Sequence, residues 1–118
     1  MESWILIVLD YLAFQHRILN VVNLDVKPKN IFIGEPNKYK NSDESQKISM
    51  DLGSALIIDH DEDRQYYVQV ATKEYCSPKF LNAFKSQTPL SAQDLIQEDH
   101  YQILKTLDEV CKGRKDLT

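Results

Sequence analysis

The sequence predicts an α+β fold in one small domain. Apolar residues recur every three or four positions near the start of the chain and again near its end, which is the period of a helix that buries one face. Between these stretches lie short runs of β-branched residues bounded by proline, glycine, asparagine or aspartate, as strands usually are. A chain of 118 residues can bury one hydrophobic core and is too short for several domains.

The first helix is predicted over residues 3–20. Its apolar positions follow the helical spacing and are Trp4, Ile7, Val8, Leu12, Ile18 and Leu19. We interpret this stripe as core. The unbroken apolar run 4–9 is too short to cross a bilayer, and acidic residues flank it where a signal peptide would be basic, so we predict no membrane partner.

Four short strands are predicted after this helix, at residues 21–22, 31–33, 47–50 and 55–58. The polar stretch 34–46 between the second and third strands is expected to be a surface loop that joins an antiparallel pair. Residues 59–79 show no sustained period, and we expect an extended segment there.

Two further helices are predicted in the last third of the chain. Pro78 fixes a turn, and a short helix is expected over residues 78–85. Ser91 followed three positions later by Asp94 is a partial N-cap signature, because the serine hydroxyl can accept a backbone N–H left free at a helix start. A longer helix is therefore expected over residues 92–111.

Composition excludes several classes of function. Lys and Arg total 14 against 18 acidic residues, a net charge of -4, so the chain has no basic field and no nucleic acid partner is predicted. Cys76 and Cys111 lie far apart with no C-x-x-C pair, which signals neither a zinc site nor a redox motif. Reduced thiols predict an intracellular location, cytoplasmic or nuclear.

Some polar residues have a simpler interpretation than a functional one. The acidic run 59–63 could indicate a calcium loop, but Arg64 stands where glycine is needed and Val70 where the bidentate glutamate belongs, so we interpret the run as a solvated tip. The histidines are interpreted as packing or surface residues, because no Cys or His partner lies at helical spacing.

Residues 23–30, Asn-Leu-Asp-Val-Lys-Pro-Lys-Asn, carry the strongest chemical signal. Asp25 can orient an attacking hydroxyl and take its proton, Lys27 can neutralise charge on a moving phosphoryl group, and Asn30 can ligate Mg²⁺. Asp51, in Asp-Leu-Gly at a strand end, adds a second hard ligand. The combination suits phosphoryl transfer, although a turn of this composition standing alone is more often structural.

These residues resemble three motifs of the protein kinase family. Residues 23–30 are similar to the catalytic loop H-R-D-L-x-x-x-N, and residues 51–53 are similar to D-F-G. Residues 71–79, Ala-Thr-Lys-Glu-Tyr-Cys-Ser-Pro-Lys, resemble G-T-x-x-Y-x-A-P-E at the end of the activation segment, which would span residues 51–79. The motifs follow in the family's order, and the resemblance identifies residues 1–118 as part of a kinase domain with a mainly helical C-lobe.

The resemblance implies a role for each site residue and a set of partners. Asp25 would be the catalytic base, Lys27 would stabilise the phosphate, Asn30 and Asp51 would bind Mg²⁺, and Thr72 would position the substrate. ATP, Mg²⁺ and a protein substrate are implied. Lys27 with Thr72 is typical of serine/threonine kinases.

The chain also departs from the family's pattern. Asn23 and Leu24 replace the His and Arg of the catalytic loop, and Lys79 replaces a Glu. Asp99 resembles the aspartate of the central C-lobe helix, which binds backbone amides of the catalytic loop. No glycine-rich loop or strand lysine precedes residue 20, so we expect the N-lobe that covers ATP to be absent. We expect the surface on which an N-lobe would dock to bind either such a lobe or a regulatory protein.

Two alternatives remain beside an active kinase. The first is a pseudokinase or kinase remnant that acts as a protein-interaction module, which the departures favour. The second is an unrelated small binding domain, which would place Asp25 and Asp51 on opposite faces. We expect the 118-residue chain alone to bind ATP weakly and to show no measurable turnover.

Overall fold

A computed structural model describes residues 3–34, 47–60 and 63–113 of the chain. The fold is α+β, as predicted, with short antiparallel strand pairs set between helices. In chain order the elements are α1 (Ser3–Phe14), a π-helical turn (Gln15–Leu19), β1 (Val21–Val22), a 3-10 turn (Pro28–Asn30), β2 (Ile31–Gly34), β3 (Lys47–Met50), β4 (Leu56–Ile57), β5 (Gln65–Tyr66), α2 (Pro78–Ser86), β6 (Leu90–Ser91) and α3 (Ala92–Cys111).

The predicted first helix is confirmed, but its last turn is a π-turn. Asn20 ends it in the left-handed conformation, with φ of 54°, and its backbone N–H donates to the carbonyl of Gln15 five residues earlier. In this wider turn the consecutive residues Gln15 and His16 are both buried. Two polar side chains therefore enter the interior where the sequence shows only the edge of an apolar stripe.

The strands form separate antiparallel pairs. β2 pairs with β3, Ile31 opposite Met50, as expected for two strands joined by the loop at 34–46, most of which lies outside the described residues. β1 pairs with β4, Val22 opposite Leu56. β5 pairs with β6, and this pair was not predicted, because residues 59–79 show no sustained period and no strand pattern includes position 90.

Two hydrophobic clusters support these elements. One lies between α2 and the start of α3 and includes Val22, Leu24, Val68, Phe80 and Leu95. The other lies between α1 and the second half of α3 and includes Val8, Leu12, Val26, Ile31 and Ile103. Residues of the 23–30 loop enter both clusters, so the loop is anchored on both of its sides by burial of apolar surface.

Helix α3 has the predicted bounds and a polar buried face. Ser91 and Asp94 form a full capping box at its start, where the sequence indicated a partial one. Its buried polar side chains, each at most 4% exposed, are Glu98, Asp99, Gln102 and Thr106. Within the described part of the chain, α3 and the other helices lack the combination of length and apolar character that a membrane span needs.

Candidate functional site

The 23–30 loop lies against the buried polar face of α3. The carboxylate of Asp99, fully buried, accepts the backbone N–H groups of Asn23 and Leu24, each at 2.8 Å. Leu24 has a φ of 63°, in the left-handed region that a leucine rarely occupies. The two hydrogen bonds to Asp99 hold this strained turn directly before Asp25.

His16 completes the environment of Asp99. Its Nε2 lies 2.8 Å from the Asp99 carboxylate, and its ring packs edge-on against His100 with centroids 5.4 Å apart. Burial lowers the pKa of His100, and the charge of His16 lowers it further. The hydrogen bond of His16 to Asp99 was not predicted from the sequence, which favoured a packing or surface residue.

Asp25, Lys27 and Thr72 form one hydrogen-bonded group. The Thr72 hydroxyl donates to Oδ1 of Asp25 at 2.6 Å, and Nζ of Lys27 donates to the same hydroxyl at 3.1 Å. Nζ of Lys27 lies 3.6 Å from Oδ2 of Asp25. The three side chains are partly exposed, so the structure brings a base, a cation and a hydroxyl together at a surface that a substrate can reach.

Asn30 links this group to Asp51. Its Nδ2 donates to the backbone carbonyl of Asp25 at 2.9 Å and to its Oδ2 at 3.1 Å. Its backbone carbonyl accepts the N–H of Asp51 at 2.9 Å, which extends the β2–β3 ladder by one bond. Asn30 is therefore connected to Asp25 through its side chain and to Asp51 through its backbone.

The Asp51 carboxylate is fixed by its own turn. Its Oδ1 accepts the N–H of Gly53 at 2.8 Å, and a side chain at position 53 would bring a Cβ to 3.1 Å from that oxygen. Because the Asn30 amide nitrogen is used by Asp25, its amide oxygen is the atom left for a cation. One carboxylate and one amide oxygen, completed by water and phosphate oxygens, match the ligand set that Mg²⁺ takes at nucleotide sites.

A cleft of about 490 Å³ opens beside this group. Its lining residues are Lys27, Pro28, Lys29, Thr72, Glu74, Tyr75 and Glu109. Burial, followed by the charges of Glu109 and Glu74, raises the pKa of Tyr75. The lining of the cleft therefore carries both cationic and anionic side chains.

In the acidic run at 59–63, Asp59 and His60 contact neighbouring side chains. Asp59 is exposed and lies 3.6 Å from Arg64, while His60 contacts Asn20, and residues 61–62 lie outside the described part. Across residues 3–34, 47–60 and 63–113, no three His, Cys, Asp or Glu side chains are grouped to hold a metal ion. A site made from an aspartate, an asparagine and phosphate oxygens is of a different kind.

Two residues next to the site were missed by the sequence analysis. Gln102 contacts the backbone on both sides of Asp25, and Glu98 contacts Ser77 at the end of the 51–79 segment. Only their spacing, four residues apart on a helix with Asp99 between them, could have indicated that they share the buried face. Lys79, by contrast, forms an exposed ion pair with Asp94 at 2.8 Å.

Comparisons with protein-family models, with curated proteins and with solved structures gave no match to this chain. The functional interpretation therefore depends on the geometry of these residues and on the motifs in the sequence.

Proposed function

We propose that this chain is the catalytic-lobe segment of a serine/threonine protein kinase, which transfers the γ-phosphoryl group of ATP to a protein hydroxyl when part of a complete domain. The observation that carries the proposal is the group formed by Asp25, Lys27 and Thr72, joined through bonds of 2.6 and 3.1 Å to the Thr72 hydroxyl. A structural turn has no need for a carboxylate and an ammonium group that converge on one hydroxyl near a cleft.

Each residue then has a defined task. Asp25 orients the substrate hydroxyl and takes its proton as the oxygen–phosphorus bond forms and the bond from the γ-phosphorus to the bridging oxygen of ADP breaks. Lys27 stabilises the negative charge on the transferred group. Asn30 and Asp51 would hold Mg²⁺, which when bound with ATP neutralises charge on the phosphates.

The cleft beside Lys27 supports a protein substrate. Two of its lining residues, Lys27 and Thr72, contact Asp25, and its volume of about 490 Å³ is enough for a side chain that flanks the acceptor residue. Thr72 donates to one oxygen of the Asp25 carboxylate and Asn30 to the other, and the two bonds would hold the carboxylate in place for the acceptor hydroxyl.

The test is transfer of labelled γ-phosphate from ATP to a mixed protein substrate by the full reading frame that encodes these residues. Asp25→Asn should reduce transfer by at least about 100-fold, because the proton acceptor is lost. Asp10→Asn, at an exposed position of α1, is the matched control and should retain activity. Equal activity of the wild type and Asp25→Asn would show that the catalytic assignment is wrong.

The alternative function is that of a pseudokinase or kinase remnant that docks to an N-lobe or a regulatory protein. Apolar side chains at the surface favour it: Leu6, Phe14, Ile18, Leu52, Ile57 and Leu104 are each between 46% and 80% exposed. This function predicts partner binding that Asp25→Asn leaves unchanged.

A further inference from the structure

Gln102, on α3, forms hydrogen bonds to the backbone on both sides of Asp25. Its Oε1 accepts the N–H of Val26 at 2.8 Å, and its Nε2 donates to the carbonyl of Leu24 at 3.1 Å. A carboxamide has both a donor and an acceptor on one planar group, so it can bind the two peptide groups that flank a single residue. Gln102 is 1% exposed, and its amide is held in this orientation by the surrounding core.

These bonds complete the restraint on a strained residue. Leu24 has a φ of 63°, its N–H is bound by Asp99, and its carbonyl is bound by Gln102. Both polar groups of the strained peptide are therefore held by α3. Because the direction of the Asp25 side chain depends on the backbone on its two sides, the hydrogen bonds of Gln102 control that direction.

Glu98 connects Gln102 to the 51–79 segment. One oxygen of its carboxylate accepts Nε2 of Gln102 at 3.1 Å and the N–H of Ser77 at 3.0 Å, and the other accepts the Ser77 hydroxyl. Ser77 is the N-cap of α2, where its hydroxyl accepts the N–H of Phe80. A continuous chain of hydrogen bonds thus runs from the end of the segment to the backbone around Asp25.

The burial of Glu98 is costly to the fold. The side chain is 4% exposed, and its desolvation raises the pKa of the carboxyl group above its ordinary value. A buried carboxylate of this kind destabilises a core that apolar residues would fill more favourably. Its contribution is therefore better explained by the geometry it imposes on Gln102 and Ser77 than by stability.

We infer that Gln102 is a positioning residue for Asp25 and that Glu98 makes this position depend on the contact with Ser77. The end of the 51–79 segment then regulates the orientation of Asp25 through the hydrogen bonds that join Ser77, Glu98 and Gln102. This role in catalysis rests on the proposed phosphotransfer function, whereas the coupling between Ser77 and the loop is a property of the fold itself.

The first test uses NMR to measure hydrogen exchange at the Val26 amide of the full 118-residue chain. Gln102→Met keeps the volume of the side chain and removes both hydrogen bonds, and the Val26 amide should exchange about 10-fold faster or more. Gln97→Met, at an exposed position of the same helix, should leave it unchanged. Unchanged exchange in folded Gln102→Met, or an equal increase at every amide, would overturn the positioning role.

The second test measures the coupling. In a double-mutant cycle of Ser77→Ala and Gln102→Met, the effects on Val26 exchange should be less than additive, because both changes break the same chain of bonds. Full additivity would overturn the link through Glu98.

Activity separates this inference from the proposed function. In the full reading frame, Gln102→Met should lower kcat with the KM for ATP unchanged, because the base is displaced while the phosphate ligands remain. Loss of nucleotide affinity instead would overturn the positioning of Asp25. If the wild type transfers no phosphate, the proposed function fails, and the exchange measurements still decide whether Gln102 fixes the loop.

Discussion

The hydroxyl of Thr72 donates a 2.6 Å hydrogen bond to the carboxylate of Asp25 across 47 positions of sequence. This bond joins the 51–79 segment to the 23–30 loop at the carboxylate to which we assign the proton transfer. The Asn30 amide donates to the other oxygen of that carboxylate, so the segment and the loop together fix the orientation of the Asp25 side chain.

Two substitutions of Thr72 should distinguish the contribution of its hydroxyl to kcat from that of its methyl group. Thr72→Val keeps the shape and removes the bonds to Asp25 and Lys27, and we expect kcat of the full reading frame to fall about 100-fold through misplacement of the base. Thr72→Ser keeps the hydroxyl and should retain most of the rate. Full activity of Thr72→Val with a loss in Thr72→Ser would indicate a packing role for the methyl group and no role for the hydroxyl.

Asp99→Asn should destabilise the fold. An asparagine offers one oxygen, so in either orientation its NH₂ group faces a backbone N–H of Asn23 or Leu24, and the free energy of unfolding should fall by about 1–3 kcal/mol for each donor left unpaired. Urea unfolding of the 118-residue chain measures this change.

Asp108→Asn is the matched control for that measurement. Asp108 forms an exposed ion pair with Lys112 at 2.8 Å, and such pairs contribute about 0–1 kcal/mol. If the two variants lost equal stability, the buried carboxylate would not be what holds the loop.

Glu98→Gln should stabilise the protein at neutral pH and not in acid. Burial raises the pKa of the Glu98 carboxyl above its ordinary value of 4.5, so its favourable contribution is complete below that pH and is lost as the pH rises through the raised pKa. The single oxygen of a glutamine can still accept from Gln102 and from the N–H of Ser77, and its NH₂ group can donate to the Ser77 hydroxyl. The stability gained by the variant should therefore grow between pH 4 and pH 8 in urea unfolding.

Asp94→Asn should show the opposite dependence on pH. The hydrogen bond from Lys79 lowers the pKa of Asp94 from its ordinary value of 3.8, so its contribution is present above that pH and is lost as the pH falls through the lowered pKa. The variant should be less stable than the wild type at pH 7 and should match it in strong acid. The same direction of change in both variants would contradict these assignments.

The cysteines should differ in reactivity. Burial and, to a lesser extent, the charge of Glu98 raise the pKa of the Cys76 thiol to about 11. Cys111, by contrast, is exposed. At pH 8 iodoacetamide should add one group to the native chain and two to the unfolded chain, because the thiolate is the nucleophile. Cys111→Ser should then react only when unfolded, and rapid labelling of native Cys111→Ser would show that Cys76 is accessible.

The helices and the longer strands could be predicted because their signals are local. The helical period and the capping serine placed α3 at residues 92–111, and the β-branched runs placed β2 and β3. The β5–β6 pair could not be predicted, since two-residue strands far apart in the sequence carry no period. The π-turn was missed because a helix with one wider turn has nearly the same apolar spacing.

The site was predictable where residue type alone limits the chemistry. Asp25, Lys27 and Asn30 stand within one loop, and their proximity follows from the chain itself. Gln102 and Glu98 could not be identified, because glutamine and glutamate on a helix usually face solvent. Their roles arise only when α3 packs beneath the loop, which brings together residues that are 75 or more positions apart.

The long separation between the loop and α3 has a consequence during synthesis. The N–H of Val26 and its acceptor Gln102 are 76 positions apart, so at about 5–20 residues per second the ribosome needs about 4–15 s to supply the partner. During that interval the strained peptide at Leu24 has neither of its restraints from α3. The nascent chain therefore acquires an oriented Asp25 only after α3 has emerged and docked.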